Sequence, residues 1–243
     1  MADLIAGVDG CPAGWISVIH PPGSPGNAKL KFFKHFQQLL DHIPALQVIA
    51  VDIPIGLPIT GTTGGRNADR LARANLGERQ SAVFAVPSRA AVACDDYQDA
   101  CQAALVTSDP PRKVSKQTFN LFPKIREVDN LLSPELQDRV FECHPELAFW
   151  ALNREKPVPF AKKVKSRPNP EGLEYRVRLL EDSGYEAEWL SKNPFPKSKV
   201  GQDDILDACV AAWSAGRIRS GKARCFPSEP EYDAKGLRME IWG

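Results

Sequence analysis

Two apolar runs constrain this chain more than any other feature, because each ends in an aspartate. Leu4, Ile5, Ala6, Gly7 and Val8 lead to Asp9, and Val48, Ile49, Ala50 and Val51 lead to Asp52. A run of this kind reads as a strand buried on both faces. If two such strands lie side by side and parallel, both acids emerge together at one sheet edge, and neighbouring strands are only ~4.8 Å apart. Carboxylates that close do not both stay ionised cheaply unless a cation or a proton lies between them.

Residues 4–9 and 15–20 read as strands joined at Gly10-Cys11-Pro12-Ala13-Gly14, whose glycines and proline suit a tight reversal. Residues 29–36 offer a third strand, and 36–43 an amphipathic helix with Leu39, Leu40 and Ile43 on one side. Residues 48–52 form a fourth strand, so the opening order is βββαβ. Beyond it, Gly61-Thr62-Thr63-Gly64-Gly65 is a loop, and a helix begins near Arg66. Arg66, Arg70 and Arg73 fall at i, i+4 and i+7, which puts their guanidinium groups on one face. That face is a candidate phosphate or substrate site, with a surface salt-bridge lattice through Asp69 as the structural alternative.

Further helices are expected over 95–107, 115–132 and 170–182, and a fifth strand over 139–143. A last long helix is expected over 202–219, its apolar side made by Ile205, Leu206, Cys209, Ala212 and Trp213. Segment 154–167 carries Arg154, Lys156, Lys162, Lys163, Lys165 and Arg167 against Glu155. It reads as an exposed basic loop that, as a mobile arm, could track a nucleic-acid backbone.

At 243 residues and 43% hydrophobic content, the chain is long enough for one large α/β domain with insertions. The domain is taken as 1–243, with a helical insertion at roughly 60–135. The 31 basic and 30 acidic residues give a net charge of +1, so bulk electrostatics announce neither a nucleic-acid nor a membrane partner. No run approaches the ~18 apolar residues that would cross a bilayer. No basic stretch precedes an apolar segment at the start, so the expected location is the cytoplasm. The six cysteines include no Cys-x-x-Cys pair and read as reduced, mostly buried thiols. The tryptophans read as packing residues.

Asp9, Asp52 and the pair Asp204/Asp207 come from two strand ends and one late helix. Hard oxygen ligands drawn from separate elements are what Mg²⁺ or Mn²⁺ sites use. Asp203 and Asp204 also lie in a first helical turn, where acids serve as caps. Glu142 alternates with Phe141 and Cys143 on the fifth strand and needs a partner if buried. Glu146 reads as a helix N-terminal acid, and His144 as a substrate contact or a structural imidazole.

The segments Val8-Asp9-Gly10-Cys11-Pro12-Ala13-Gly14-Trp15, Val51-Asp52-Ile53-Pro54-Ile55-Gly56-Leu57-Pro58, Glu142-Cys143-His144-Pro145-Glu146 and Asp203-Asp204-Ile205-Leu206-Asp207-Ala208 resemble the motifs of domain of unknown function 429. Arg66 to Arg70 and Ser81 to Arg89 resemble it too, so the similarity spans nearly the whole chain. The resemblance implies a ribonuclease-H-like α/β fold: a mixed five-stranded sheet, three antiparallel strands first and two parallel ones after, flanked by helices.

It also implies a divalent-metal nuclease site, Asp9 and Asp52 matching the acids of the first and fourth strands and Asp204/Asp207 the late-helix D-x-x-D pattern. The expected activity is metal-dependent phosphodiester hydrolysis on DNA or RNA. Asp9, Asp52, Asp204, Asp207 and Glu142 are then the catalytic candidates, the four aspartates the metal ligands, and Arg66, Arg70, Arg73 and His144 the substrate contacts. The alternatives are phosphotransfer or hydrolysis on a small phosphorylated metabolite, and a non-catalytic nucleic-acid or small-ligand binder on the same fold.

Overall fold

The computed structural model describes residues 3–42, 46–164 and 167–243. The predicted helix residue Ile43 and the basic-segment residue Lys165 lie outside the described residues. Strand β1 (Leu4–Cys11) turns into β2 (Gly14–His20), and β3 (Lys29–Phe33) ends earlier than predicted because helix α1 (Phe36–His42) claims Phe36. Strand β4 (Leu46–Val51) follows. Then come the two-residue strand β5 (Gly61–Thr62) and helices α2 (Asn67–Ala74), α3 (Arg89–Val92) and α4 (Tyr97–Val106). Strand β6 (Ser108–Asp109) pairs with β5. The single helix expected over 115–132 is two, α5 (Lys116–Phe119) and α6 (Phe122–Leu131). Pro123 has no N–H to continue a helix from above, but it suits the first turn of a new one.

Strand β7 (Val140–Glu142) leads into α7 (Pro145–Leu152). Short strands β8 (Lys163–Val164) and β9 (Arg167–Pro168) precede α8 (Pro170–Asp182), α9 (Ala187–Ser191) and α10 (Gln202–Arg219). The chain closes on a hairpin, β10 (Cys225–Tyr232) and β11 (Arg238–Trp242), which the sequence reading did not anticipate. Among the described residues no helix is long and apolar enough to cross a membrane.

The main sheet has the order β3-β2-β1-β4-β7. β1 pairs antiparallel with β2, and β2 with β3; β1 pairs parallel with β4, and β4 with β7. This is the mixed five-stranded topology of the ribonuclease-H-like pattern. Because side chains alternate across a strand, parity sorts the sheet into two faces. Ala6, Val8, Ile49, Val51 and Val140 join one core cluster with α1, α3, α4 and α6. Ile5, Cys11, Val48, Ala50 and Cys143 join the other, with α7, α8, α9 and α10.

Helix α10 lies directly on β1. A Cβ added to Gly7 would sit 2.0 Å from the Ala212 nitrogen and 2.1 Å from the Ala208 oxygen, so only glycine permits this approach. Small residues on the facing side of α10 (Ala208, Ala211, Ala212) complete the fit, and all are fully buried. All six cysteines are free; Cys11, Cys101, Cys143 and Cys209 are buried.

Candidate active-site cleft

Asp9 is in register with Ile16 on β2, and Asp52 follows β4 with its N–H donating to the Val8 carbonyl at 2.9 Å. That bond continues the parallel ladder by one residue and fixes Asp52 beside Asp9. By parity Asp9 goes with Ile5 and Cys11, and Asp52 with Val48 and Ala50, so both acids face α10. The close approach at Gly7 brings the first turns of α10 to the same place, carrying Asp203, Asp204 and Asp207. All these aspartates line a cleft of about 430 Å³, together with Lys124, His144, Glu146, Lys162 and Lys163.

Charge in the cleft is out of balance. Asp9 is 6% exposed, and burial, followed by Asp52, Asp207 and Asp204, pushes its carboxyl well above the ordinary 3.8. The Asp52 carboxyl is pushed up to about 7, by burial first and by Asp207 next, with Lys162 and a hydrogen bond to Asp9 pulling the other way. Two carboxyls can share a hydrogen bond only if one holds a proton, and the upward shift of both favours that arrangement. Asp204 is also raised, by burial first; the Gly201 N–H it accepts at 2.8 Å opposes this. Burial works against the Lys162 ammonium, but Asp207, Asp9 and Asp52 outweigh it and hold its proton more tightly than usual.

Glu142 is in register with Val51, one residue short of Asp52, so it projects from the opposite sheet face. It does not line the cleft of the aspartates, although it borders a small neighbouring cavity with Asp52 and His144. Its carboxylate accepts from Arg66 Nη2 at 2.6 Å and Nη1 at 2.8 Å and from the Ile55 N–H at 2.6 Å. Burial outweighs these partners and lifts it to about 7. Arg66 is buried and also donates to Asp69 at 2.7 Å and to the Ile55 carbonyl at 2.7 Å.

Arg70 donates to the Gly65 carbonyl at 2.6 Å, and Arg73 to the Gly64 carbonyl at 2.6 Å and the Val83 carbonyl at 2.8 Å. The three guanidinium groups thus staple α2 to the preceding loop rather than forming an open anion-binding face in the cleft. Gly65, at φ 80°, is needed there, since a Cβ would meet the Asp69 carboxylate at 2.3 Å.

His144 does line the cleft. Its Nδ1 accepts the Glu146 N–H at 3.2 Å, so the ring proton sits on Nε2 and faces the Ala82 carbonyl at 3.3 Å. Burial lowers its pKa, keeping the ring neutral. Glu146 is more than a cap: it accepts from buried Arg176 Nη2 at 2.7 and 2.9 Å.

The basic segment is not an arm in solvent throughout. Lys162 pairs with Asp207, and Lys163 with Asp203 at 2.6 Å. Lys124 was not singled out in the sequence. It spans from the Gly14 carbonyl, at 2.6 Å, to the face of Trp15, 4.6 Å from the ring centroid. Its place on α6, three residues before a glutamate that bonds Trp15, gave no local signal.

The oxygen donors of the aspartates, with their surplus negative charge, fit Mg²⁺ or Mn²⁺, which take one or two carboxylates and complete their shells with water and phosphate oxygens. Among the described residues no group of three or more His, Cys, Asp or Glu is already drawn together as a metal cage. The reason is visible: Asp204 holds the Gly201 N–H, Asp207 holds Lys162, and only Asp9 and Asp52 face each other. The sequence profile of DUF429, described as a protein of unknown function, matches residues 7–232. No curated protein and no solved structure gives a significant match.

Proposed function

From the premise that the chain belongs to the DUF429 family, we propose that it is a divalent-metal-dependent phosphodiester hydrolase acting on nucleic acid. The observation that carries this reading is the pair of buried Asp9 and half-buried Asp52 on one sheet face beside Asp204 and Asp207, with more carboxylate charge than the neighbouring ammonium groups offset. Asp9 and Asp52 are the residues that would hold Mg²⁺ or Mn²⁺, with Asp204 and Asp207 completing the donor set. When bound, the ion supplies Lewis acidity toward a phosphoryl oxygen and a water of lowered pKa.

The chain's own groups supply the rest. Asp9 and Asp52 give up the proton they share. Lys124 and Lys163 bring positive charge to the cleft wall, where a phosphodiester backbone gains from it. Neutral His144 offers Nε2–H as a donor to a phosphate or leaving oxygen once it leaves Ala82. Phe84 and Leu121 form an apolar wall that limits water.

Calorimetry and thermal shift with Mn²⁺ on the wild type and Asp9→Asn, followed by cleavage assays on labelled DNA and RNA, test the proposal. The wild type is expected to bind Mn²⁺ and gain thermal stability, Asp9→Asn to lose both while staying folded, and cleavage to require metal. No Mn²⁺ uptake by the wild type at millimolar concentration would sink the reading. Turnover of small phosphorylated metabolites with intact DNA and RNA would replace it with phosphotransfer or hydrolysis on such substrates. Salt-dependent nucleic-acid binding that survives Asp52→Asn, without cleavage, would make the protein a binder.

A further inference from the structure

The reaction just outlined gives Lys162 nothing to do, yet the backbone leading to it is hydrogen-bonded at three successive carbonyls. The Phe160 carbonyl accepts from Arg176 Nη1 at 2.9 Å. The Ala161 carbonyl accepts from Asn169 Nδ2 at 2.9 Å, and the Lys162 carbonyl from the Asn169 N–H at 2.9 Å. Arg176 is 1% exposed and is fixed in turn by Glu146. Gly172 of α8 has no room for a side chain, since a Cβ would lie 2.1 Å from the Ala161 oxygen. Successive carbonyls are thus pinned to α8 and to Asn169, which caps it, and the side chain they aim runs to Asp207, itself 2% exposed. A lysine placed only for solubility needs none of this, because free surface lysines keep their rotamer entropy.

We infer that Lys162 is the resident counter-ion of the cleft, holding Asp207 in the metal-free protein, and that a divalent ion recruits Asp207 by displacing this ammonium. The inference rests on the metal-site reading above and adds to it a residue that sets metal affinity. It accounts for the absence of a ready three-carboxylate cage among the described residues, because one member is already neutralised. The binding-competent arrangement is then a minority state, and the apparent metal affinity falls in proportion. Removing the ammonium removes that competition and leaves Asp207 a buried charge without its partner, which a bound cation relieves.

Mn²⁺ calorimetry at fixed pH and ionic strength, on the wild type, Lys162→Met, Lys162→Gln and Lys163→Met, decides. Lys163→Met removes the same unit charge from the neighbouring residue, which pairs with Asp203 instead. Lys162→Gln carries the test if Lys162→Met does not fold. The expected result is Mn²⁺ binding about tenfold tighter or more in the Lys162 variants, with a larger metal-induced rise in Tm, and a change of less than about threefold in Lys163→Met. Equal affinity in wild type and Lys162 variants, weaker affinity in those variants, or equal tightening in Lys163→Met overturns the inference while leaving the metal site standing. Mn²⁺ binding to none of the proteins overturns both.

Discussion

Replacing Arg66 by methionine tests whether its guanidinium is part of the framework or a substrate ligand. The group is buried between Glu142 and Asp69, and removing one partner from a buried ion pair costs about 3–5 kcal/mol, because the other charge is left unpaired. Two features place this site at the lower end. Asp69 keeps the Arg66 and Val86 N–H groups at 2.9 and 3.1 Å, and Glu142 keeps the Ile55 N–H at 2.6 Å. Glu142 can also take up a proton: burial already holds it at about 7 with Arg66 present, and losing Arg66 raises it further.

Glu142 is raised above its unfolded value in wild type and variant alike, so both weaken together up to about pH 7. The deficit of Arg66→Met is flat from pH 5 to there and grows towards pH 8, where the wild-type carboxyl ionises, at about 7, and the variant's stays protonated. About 3 kcal/mol is expected at pH 8, which for a chain of this size lowers Tm by about 6–12 °C. Urea unfolding at both pH values measures it, and Mn²⁺ titration of the same variant should match the wild type because Glu142 lies across the sheet from Asp9 and Asp52. A loss below about 1 kcal/mol at pH 8 would refute the framework role. Unchanged stability with weakened oligonucleotide binding would return Arg66 to the substrate.

Asp52→Asn should match the wild type in stability near pH 4 and exceed it at pH 8 without metal. An ionised Asp52, raised to about 7 from 3.8, weakens the fold as pH rises between those values; the ceiling is about 4 kcal/mol if it titrates alone. Chemical denaturation in chelator across that range reads the crossover, and a variant less stable than wild type at pH 8 contradicts the assignment. Gly7→Ala should cost more than about 3 kcal/mol, since backbone of α10 rather than a flexible side chain blocks the new methyl. A neutral result in urea unfolding would mean that α10 does not rest on β1 as described.

What the sequence made legible here was whatever depends on near neighbours. The apolar runs carry the strands, their terminal aspartates share a parity, and Ile205, Leu206, Cys209 and Ala212 mark a buried side of α10. Register between strands is another matter. Glu142 looks like a third strand-end acid until Val51 is found opposite it, and a shift of one residue would have put it with Asp52. The hairpin of β10 and β11 stayed hidden because Pro227 and Pro230 break the pattern of a strand, though an edge strand tolerates them.

Charged residues expose the same boundary from the other side. Helical spacing groups Arg66, Arg70 and Arg73, but Arg66 is the extended cap before α2 and turns inward to Glu142 and the Ile55 carbonyl, while Arg70 and Arg73 close on the carbonyls of Gly65 and Gly64. Lys162 shows the reverse, a residue in a basic stretch whose solvated appearance is cancelled by a glycine ten positions on and an arginine fourteen on that pin its backbone. A buried charge requires a partner, and in this fold the partner is chosen by register and by helix-on-sheet contact. The arginines that looked most functional therefore secure α2 and the loops beside it, whereas the lysine that looked least functional sits on the carboxylates.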